Sequence, residues 1–199
     1  QNINVDVNVA NFFKPGTEIR DSMDFMDREM SGTMDLRVRI EADVKDPRIL
    51  NGLDSLQSFV QENENISVTY SIADVVKQMH RAVMDDSLKY ESIPPTREKV
   101  NNLFTMYYMS GDHDGLSSMI DPDHKTTLIT SLSSIMSTED IFSLVGSMTT
   151  YIDKHFFGTE KINITGMIVV IRDMVLMVIR SSLLSIVVSV LLIGLITSL

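Results

Sequence analysis

The residues best suited to chemistry lie in one acidic stretch near the middle of the chain. Counted from Ser110, Asp112 and Asp114 fall at positions three and five of a calcium-binding EF-hand loop. Gly115 and Asp121 follow at positions six and twelve. The first position is Ser instead of Asp, however, and the twelfth is Asp instead of Glu. These departures favour an acidic surface loop over a calcium site.

Two histidines in the same stretch, His113 and His124, add nitrogen donors that suit zinc when they are combined with carboxylates. Their spacing matches no familiar zinc motif, so we interpret them as solvated loop groups and predict no metal. Cysteine is absent, which excludes disulfides and thiolate sites. The chain also lacks Gly-x-Ser-x-Gly, His-Glu-x-x-His and glycine-rich phosphate motifs, so we predict neither an enzyme nor a cofactor.

Fourteen methionines could form an adaptable surface for hydrophobic ligands. Most fall on apolar stripes at helical spacing, which favours core packing as their role. The candidates are Met23, Met26, Met30, Met34, Met106 and Met109.

Charge is distributed unevenly along the chain. From residue 166 onward the charged residues are Arg172, Asp173 and Arg180, and the net charge of −10 therefore leaves −11 for residues 1–165. Such a surface repels phosphate backbones, so we expect no nucleic-acid partner. Sequons at Asn65 and Asn163 are weak support for a location outside the cytoplasm.

The elements that must position these residues follow from hydrophobic spacing and from Pro, Gly and capping residues. Alternating apolar residues predict strands at 3–9, 36–40, 66–70, 126–133 and 161–165. Three-and-four spacing predicts helices at 17–30, 49–63, 73–88, 96–109 and 138–155, and a last helix from Gly166 to the end. The order is β-α-β, a helical insertion, then β-α-β. This is an α+β pattern of ferredoxin-like type, with two helices covering one face of the sheet.

The last helix divides the chain into a domain at 1–165 and a long helix at 166–199. Residues 181–199 contain no charged residue and are about long enough to cross a bilayer. The chain begins with Gln and ends within the apolar run, so we expect it to be part of a longer polypeptide.

Six segments together resemble the resistance–nodulation–division superfamily of transporters, and more closely its MMPL-type exporters of hydrophobic and amphiphilic compounds. They are residues 12–17 (FFKPGT), 32–40 (GTMDLRVRI), 93–97 (IPPTR), 107–112 (YYMSGD), 121–125 (DPDHK) and 163–166 (NITG). Each segment alone is unspecific, and their order and spacing carry the resemblance. It implies that this chain is the first extracytoplasmic porter-like domain of such an exporter, which lies between the first and second membrane helices.

The resemblance implies a domain of a secondary-active exporter in the cell membrane that moves with its attached helix. Its implied partners are the lipid bilayer, a second porter-like domain of the same polypeptide and a hydrophobic or amphiphilic substrate. The resemblance leaves a homo-oligomer open. The first alternative is a membrane-anchored extracytoplasmic domain that binds a ligand and passes a signal along the same helix. The second is a structural or adhesive domain that the helix only anchors.

Overall fold

The computed structural model describes residues 12–111, 115–156 and 160–197. The strand predicted at residues 3–9 lies outside this range. The helices are α1 (Glu18–Glu29), α2 (Pro47–Gln61), α3 (Ile72–Val83), α4 (Arg97–Met109), α5 (Thr138–His155) and α6 (Met167–Thr197). The strands are β1 (Met34–Glu41), β2 (Ile66–Ser71), β3 (Thr126–Ser133) and β4 (Lys161–Thr165). The predicted α+β class with a long apolar C-terminal helix is confirmed, whereas the ferredoxin-like arrangement stays a prediction.

The four strands form one antiparallel sheet in the order β2-β3-β1-β4. β1 is central, and its side chains alternate between the core and the open face, because successive residues of a strand point to opposite sides. Leu36, Val38 and Ile40 point into the core and are almost completely buried. The alternation seen in the sequence is therefore the alternation of a half-buried strand.

Helices α2 and α5 supply the other half of the core. Each begins at a side-chain cap, Asp46 for α2 and Ser137 for α5, which accepts a hydrogen bond from a first-turn backbone N–H. Both bury a stripe of residues at helical spacing. The stripe residues are Ile49, Leu50, Leu53, Leu56 and Val60 in α2, and Thr138, Ile141, Leu144, Val145 and Met148 in α5.

The helical insertion between β2 and β3 differs from its prediction at one boundary. α3 was predicted to reach Leu88 but ends at Val83. Asp85 and Asp86 both have positive φ, and a short 3₁₀ turn follows. Aspartate tolerates the left-handed region better than most residues, so this pair ends the helix even though apolar residues continue on both sides.

The chain enters and leaves the sheet at the same end. β1 begins at Met34, opposite Ser133, and β4 ends at Thr165, opposite Arg37. The insertion starts and finishes toward the other end, where β3 begins at Thr126 opposite Glu41. We call the end of the sheet where β1 begins the junction end, and the end where β3 begins the far end.

Candidate functional site

The predicted acidic loop is described only in part, since Asp112, His113 and Asp114 lie outside the described residues. The Asp121 carboxylate accepts hydrogen bonds from the backbone N–H groups of Lys125 (2.7 Å) and Thr126 (2.6 Å) through Oδ1. It therefore acts as a turn cap that leads into β3. The described part of the chain contains no cluster of three or more potential metal-ligating side chains.

His124 lies beside Tyr108 at the edge of a pocket of about 290 Å³, which Asp121 also lines. The Tyr108 hydroxyl lies 3.1 Å from His124 Nε2, and the Phe104 ring meets the imidazole edge-on. Burial lowers the pKa of His124, and the charge of Lys45 lowers it further. This environment favours neutral imidazole, which accepts a hydrogen bond from the tyrosine hydroxyl.

Core packing, the interpretation favoured for the methionine candidates, is right for one and wrong for most. Met34 is buried at the start of β1, and Met23 is half-buried. The other four candidates, Met26, Met30, Met106 and Met109, are exposed. α1 buries no residue at all. An apolar stripe shows which side of a helix avoids water, but it does not show whether another part of the same chain packs against that side.

The insertion forms an apolar groove of about 540 Å³ between α3 and α4. We call it the insertion groove. Its lining residues are His80, Val83, Met84, Tyr90, Pro94, Pro95, Lys99, Asn102, Leu103 and Met106. Leu103 is the buried floor, whereas Met106 is 52% exposed on the wall. The volume lies within the roughly 300–1,000 Å³ range of small-molecule pockets.

Local contacts fix both sides of this groove. α3 starts with a capping box, in which Ser71 and Asp74 each satisfy a backbone N–H of the other. His80 Nδ1 lies 2.7 Å from the Ser92 carbonyl oxygen, so that nitrogen carries the proton and donates. On the other side, Thr96 caps α4 by accepting from the Lys99 backbone N–H. Sequence reasoning interpreted Met106 as a core residue and so missed the groove.

The second candidate region is the junction between the sheet and α6. Gly166 has φ +105° and lies against β1, so that a Cβ there would come within 2.6 Å of the Asp35 carbonyl oxygen. The Met167 N–H then donates to Asp35 Oδ1 (3.1 Å), while Oδ2 of the same carboxylate pairs with Arg37 (2.8 Å). The start of α6 is therefore tied to the centre of the sheet.

α6 has two distinct parts. Ile168, Ile171 and Val175 are buried against the domain, which makes the first turns part of the core beyond the predicted boundary at residue 165. Farther along, apolar side chains are exposed on every side of the helix, as at Leu184, Val190 and Ile193. In length and composition α6 can cross a membrane, and it is the single such helix among the described residues.

A second contact ties α1 to the junction end. The Asp27 carboxylate accepts from the Thr33 backbone N–H (2.9 Å) and hydroxyl (2.8 Å) through Oδ1. Its Oδ2 accepts from the Ile135 backbone N–H (3.2 Å), just after β3.

Comparison with protein-family models finds no match to this chain, and comparison with curated proteins finds no similar sequence.

Proposed function

We propose that this chain is the first extracytoplasmic porter-like domain of a secondary-active exporter of the resistance–nodulation–division superfamily. In this proposal α6 is the second membrane helix, and the substrates are hydrophobic or amphiphilic. The proposal includes a ferredoxin-like arrangement of the sheet. The presence of two β-α-β halves around one antiparallel sheet supports that arrangement.

The observation that carries the proposal is the continuity of α6. One helix of 31 residues begins in the domain core and continues, without an interruption, as an apolar helix long enough to span a bilayer. At about 1.5 Å per residue it extends roughly 45 Å. Movement of the membrane part would therefore tilt the sheet, because Gly166 packs closely against Asp35 and the Met167 N–H donates to the Asp35 carboxylate.

The path of the chain gives further support. The N-terminal segment reaches the sheet through α1 at the junction end, and α6 leaves from the same end. A loop domain between two consecutive membrane helices needs this arrangement, since both of its connections must face the bilayer. The second porter-like domain of the same polypeptide would complete the substrate path.

The coding sequence on either side of this segment provides the first test. We expect a membrane helix before Gln1, several more after Leu199, and a second copy of the β-α-β pattern. A cytoplasmic signalling module directly after Leu199 would instead establish the sensory alternative and overturn the exporter proposal.

The mechanical part needs a test of stiffness. We propose inserting four glycines between Val178 and Ile179 in the full-length protein, with four alanines at the same place as the matched control. Both insertions add about one helical turn, but only glycine weakens the helix. In proteoliposomes, gradient-driven uptake of a fluorescent amphiphile should be lost with glycine and largely kept with alanine. Equal transport by the two variants would contradict coupling through α6.

A further inference from the structure

The insertion groove combines an apolar interior with positive charge at its rim. Leu103 forms the floor, and Val83, Met84 and Met106 form walls that an alkyl chain can contact. Pro94 and Pro95 close one side and offer no backbone N–H, because proline lacks one. Methionine side chains adapt to chains of different shape. The interior therefore suits a flexible hydrocarbon and offers little to a polar ligand.

Its charge is opposite in sign to that of the chain. The net charge is −10, yet the lining contains no Asp or Glu and includes Lys99. Lys99 forms no ion pair with any described residue, whereas Lys77 and Arg81 in α3 both do. The acidic neighbours Asp86 and Glu91 are both paired with Arg81 (2.8 and 3.2 Å). The ammonium group of Lys99 is therefore available to a ligand.

Two further features strengthen the positive rim. Lys99 lies in the first turn of α4, where the helix dipole favours an anion. Asn102 lies three residues later, on the same side of the helix, and also lines the groove. On the opposite rim, Lys89 Nζ lies 5.6 Å from the centre of the Tyr90 ring.

We propose that the insertion groove binds a single-chain fatty-acid carboxylate, with the acyl chain between α3 and α4 and the head group at Lys99. The amide of Asn102 donates to the second carboxylate oxygen. The groove lies within the insertion between β2 and β3, and its lining includes no residue of α6. The inference does not depend on the exporter proposal, because a sensory domain could use the same groove.

Photolabelling of the full-length protein in phosphatidylcholine nanodiscs tests this site. The probe is a C16 fatty acid with a diazirine in its chain, and the C16 alcohol with the same diazirine is the neutral counterpart. We expect peptide mapping to find the fatty-acid label on residues 83–84 and 103–106, competed by unlabelled palmitate. Competition should strengthen by about fourfold for each further methylene that the groove buries, which is about fifteenfold for a two-carbon step that buries both methylenes. Labelling confined to α6 would reflect bilayer partition and would overturn the proposal.

Two pairs of variants separate the head group from the tail. Lys99→Gln should reduce groove labelling by the fatty acid about tenfold and leave labelling by the alcohol unchanged, whereas Lys154→Gln on the exposed side of α5 should change neither. Met106→Gln should reduce labelling by both probes, and Met109→Gln, 81% exposed and outside the groove, should not. Equal labelling by the acid and the alcohol in the unmodified protein would overturn the anionic specificity. Loss of labelling with intact transport would leave the exporter proposal standing.

Discussion

Helices α5 and α6 are both long and rich in apolar residues, but they use those residues in opposite ways. α5 buries one stripe against the sheet and turns Gly146, Thr150 and Lys154 toward water. α6 buries three residues near its start and then exposes apolar side chains on all sides. Along α6 the burial by the domain ends just after Val175, and the exposed apolar surface beyond it is the kind that a helix needs in order to cross a membrane.

The largest expected effect is the loss of a core side chain. Ile141→Ala in α5 removes a completely buried side chain and should lower the free energy of unfolding of the domain by about 2–5 kcal/mol. The matched change in α6, Ile193→Ala, removes a side chain that is 62% exposed and should leave domain unfolding unchanged. Denaturant titration followed by tyrosine fluorescence measures both. Equal losses would show that α6 is part of the domain core along its whole length.

An introduced charge should have a large effect in α6 and a small effect in α5, which is the reverse of the effect of losing a core side chain. Val190→Asp places a carboxylate near the middle of the apolar part of α6, where membrane insertion should become less favourable by about 2.5–3.5 kcal/mol. Thr150→Asp on the exposed side of α5 should change stability by no more than about 0.5 kcal/mol. Carbonate extraction of membranes gives the inserted fraction, and an unchanged fraction for Val190→Asp would mean that α6 does not enter the bilayer.

The glycine that precedes α6 and the glycine within α5 also have different roles. Gly166→Ala forces a side chain into the left-handed region and against the Asp35 carbonyl, and should destabilise the domain by at least about 1–2 kcal/mol. Gly146→Ala, within α5 and with open space around it, should stabilise by about 0.5–1 kcal/mol. Thermal unfolding measures the two shifts, and shifts of the same sign would contradict a close contact at the junction.

The smallest expected effect is a dependence of the domain's free energy of unfolding on pH. Burial lowers the pKa of His124, so the unfolded chain binds the proton more readily than the folded one. Stability should therefore decrease as the pH falls below about 6.5, before most carboxylates titrate. His124→Asn, which tolerates the positive φ of this position, should remove that dependence between pH 8 and 5. Denaturant midpoints across this range measure it, and an unchanged slope in the variant would contradict the assignment.

Regular elements were predicted well because their signals are local. The strands β3 and β4 have the predicted bounds, since alternation and flanking turns define a strand within a few residues. The end of α3 was missed because apolar residues continue past Val83, and only the backbone of Asp85 and Asp86 reveals the stop.

The candidate sites were predicted less well, because they depend on distant residues. Met106 was interpreted as a core residue, and nothing in either helix alone shows that α3 and α4 leave a groove between them. Asp121 was compared with the twelfth position of a calcium loop and interpreted as part of an acidic surface loop, and its role as a turn cap, in which Oδ1 accepts from two backbone N–H groups, was not predicted. The contact of Gly166 with Asp35 joins residues far apart in sequence and has no local signal.

The position of β4 has a consequence for biosynthesis. The central strand β1 is among the first elements made, but one of its two neighbours, β4, is the last strand of the domain. Pairing across so long a segment is slow, because loop-closure entropy is lost before the contact forms. α6 follows β4 after a single glycine. If α6 enters a bilayer, as the proposed function requires, completion of the sheet and insertion of α6 compete in time, and a delay in β4 pairing leaves the β1 edge of the sheet open during insertion.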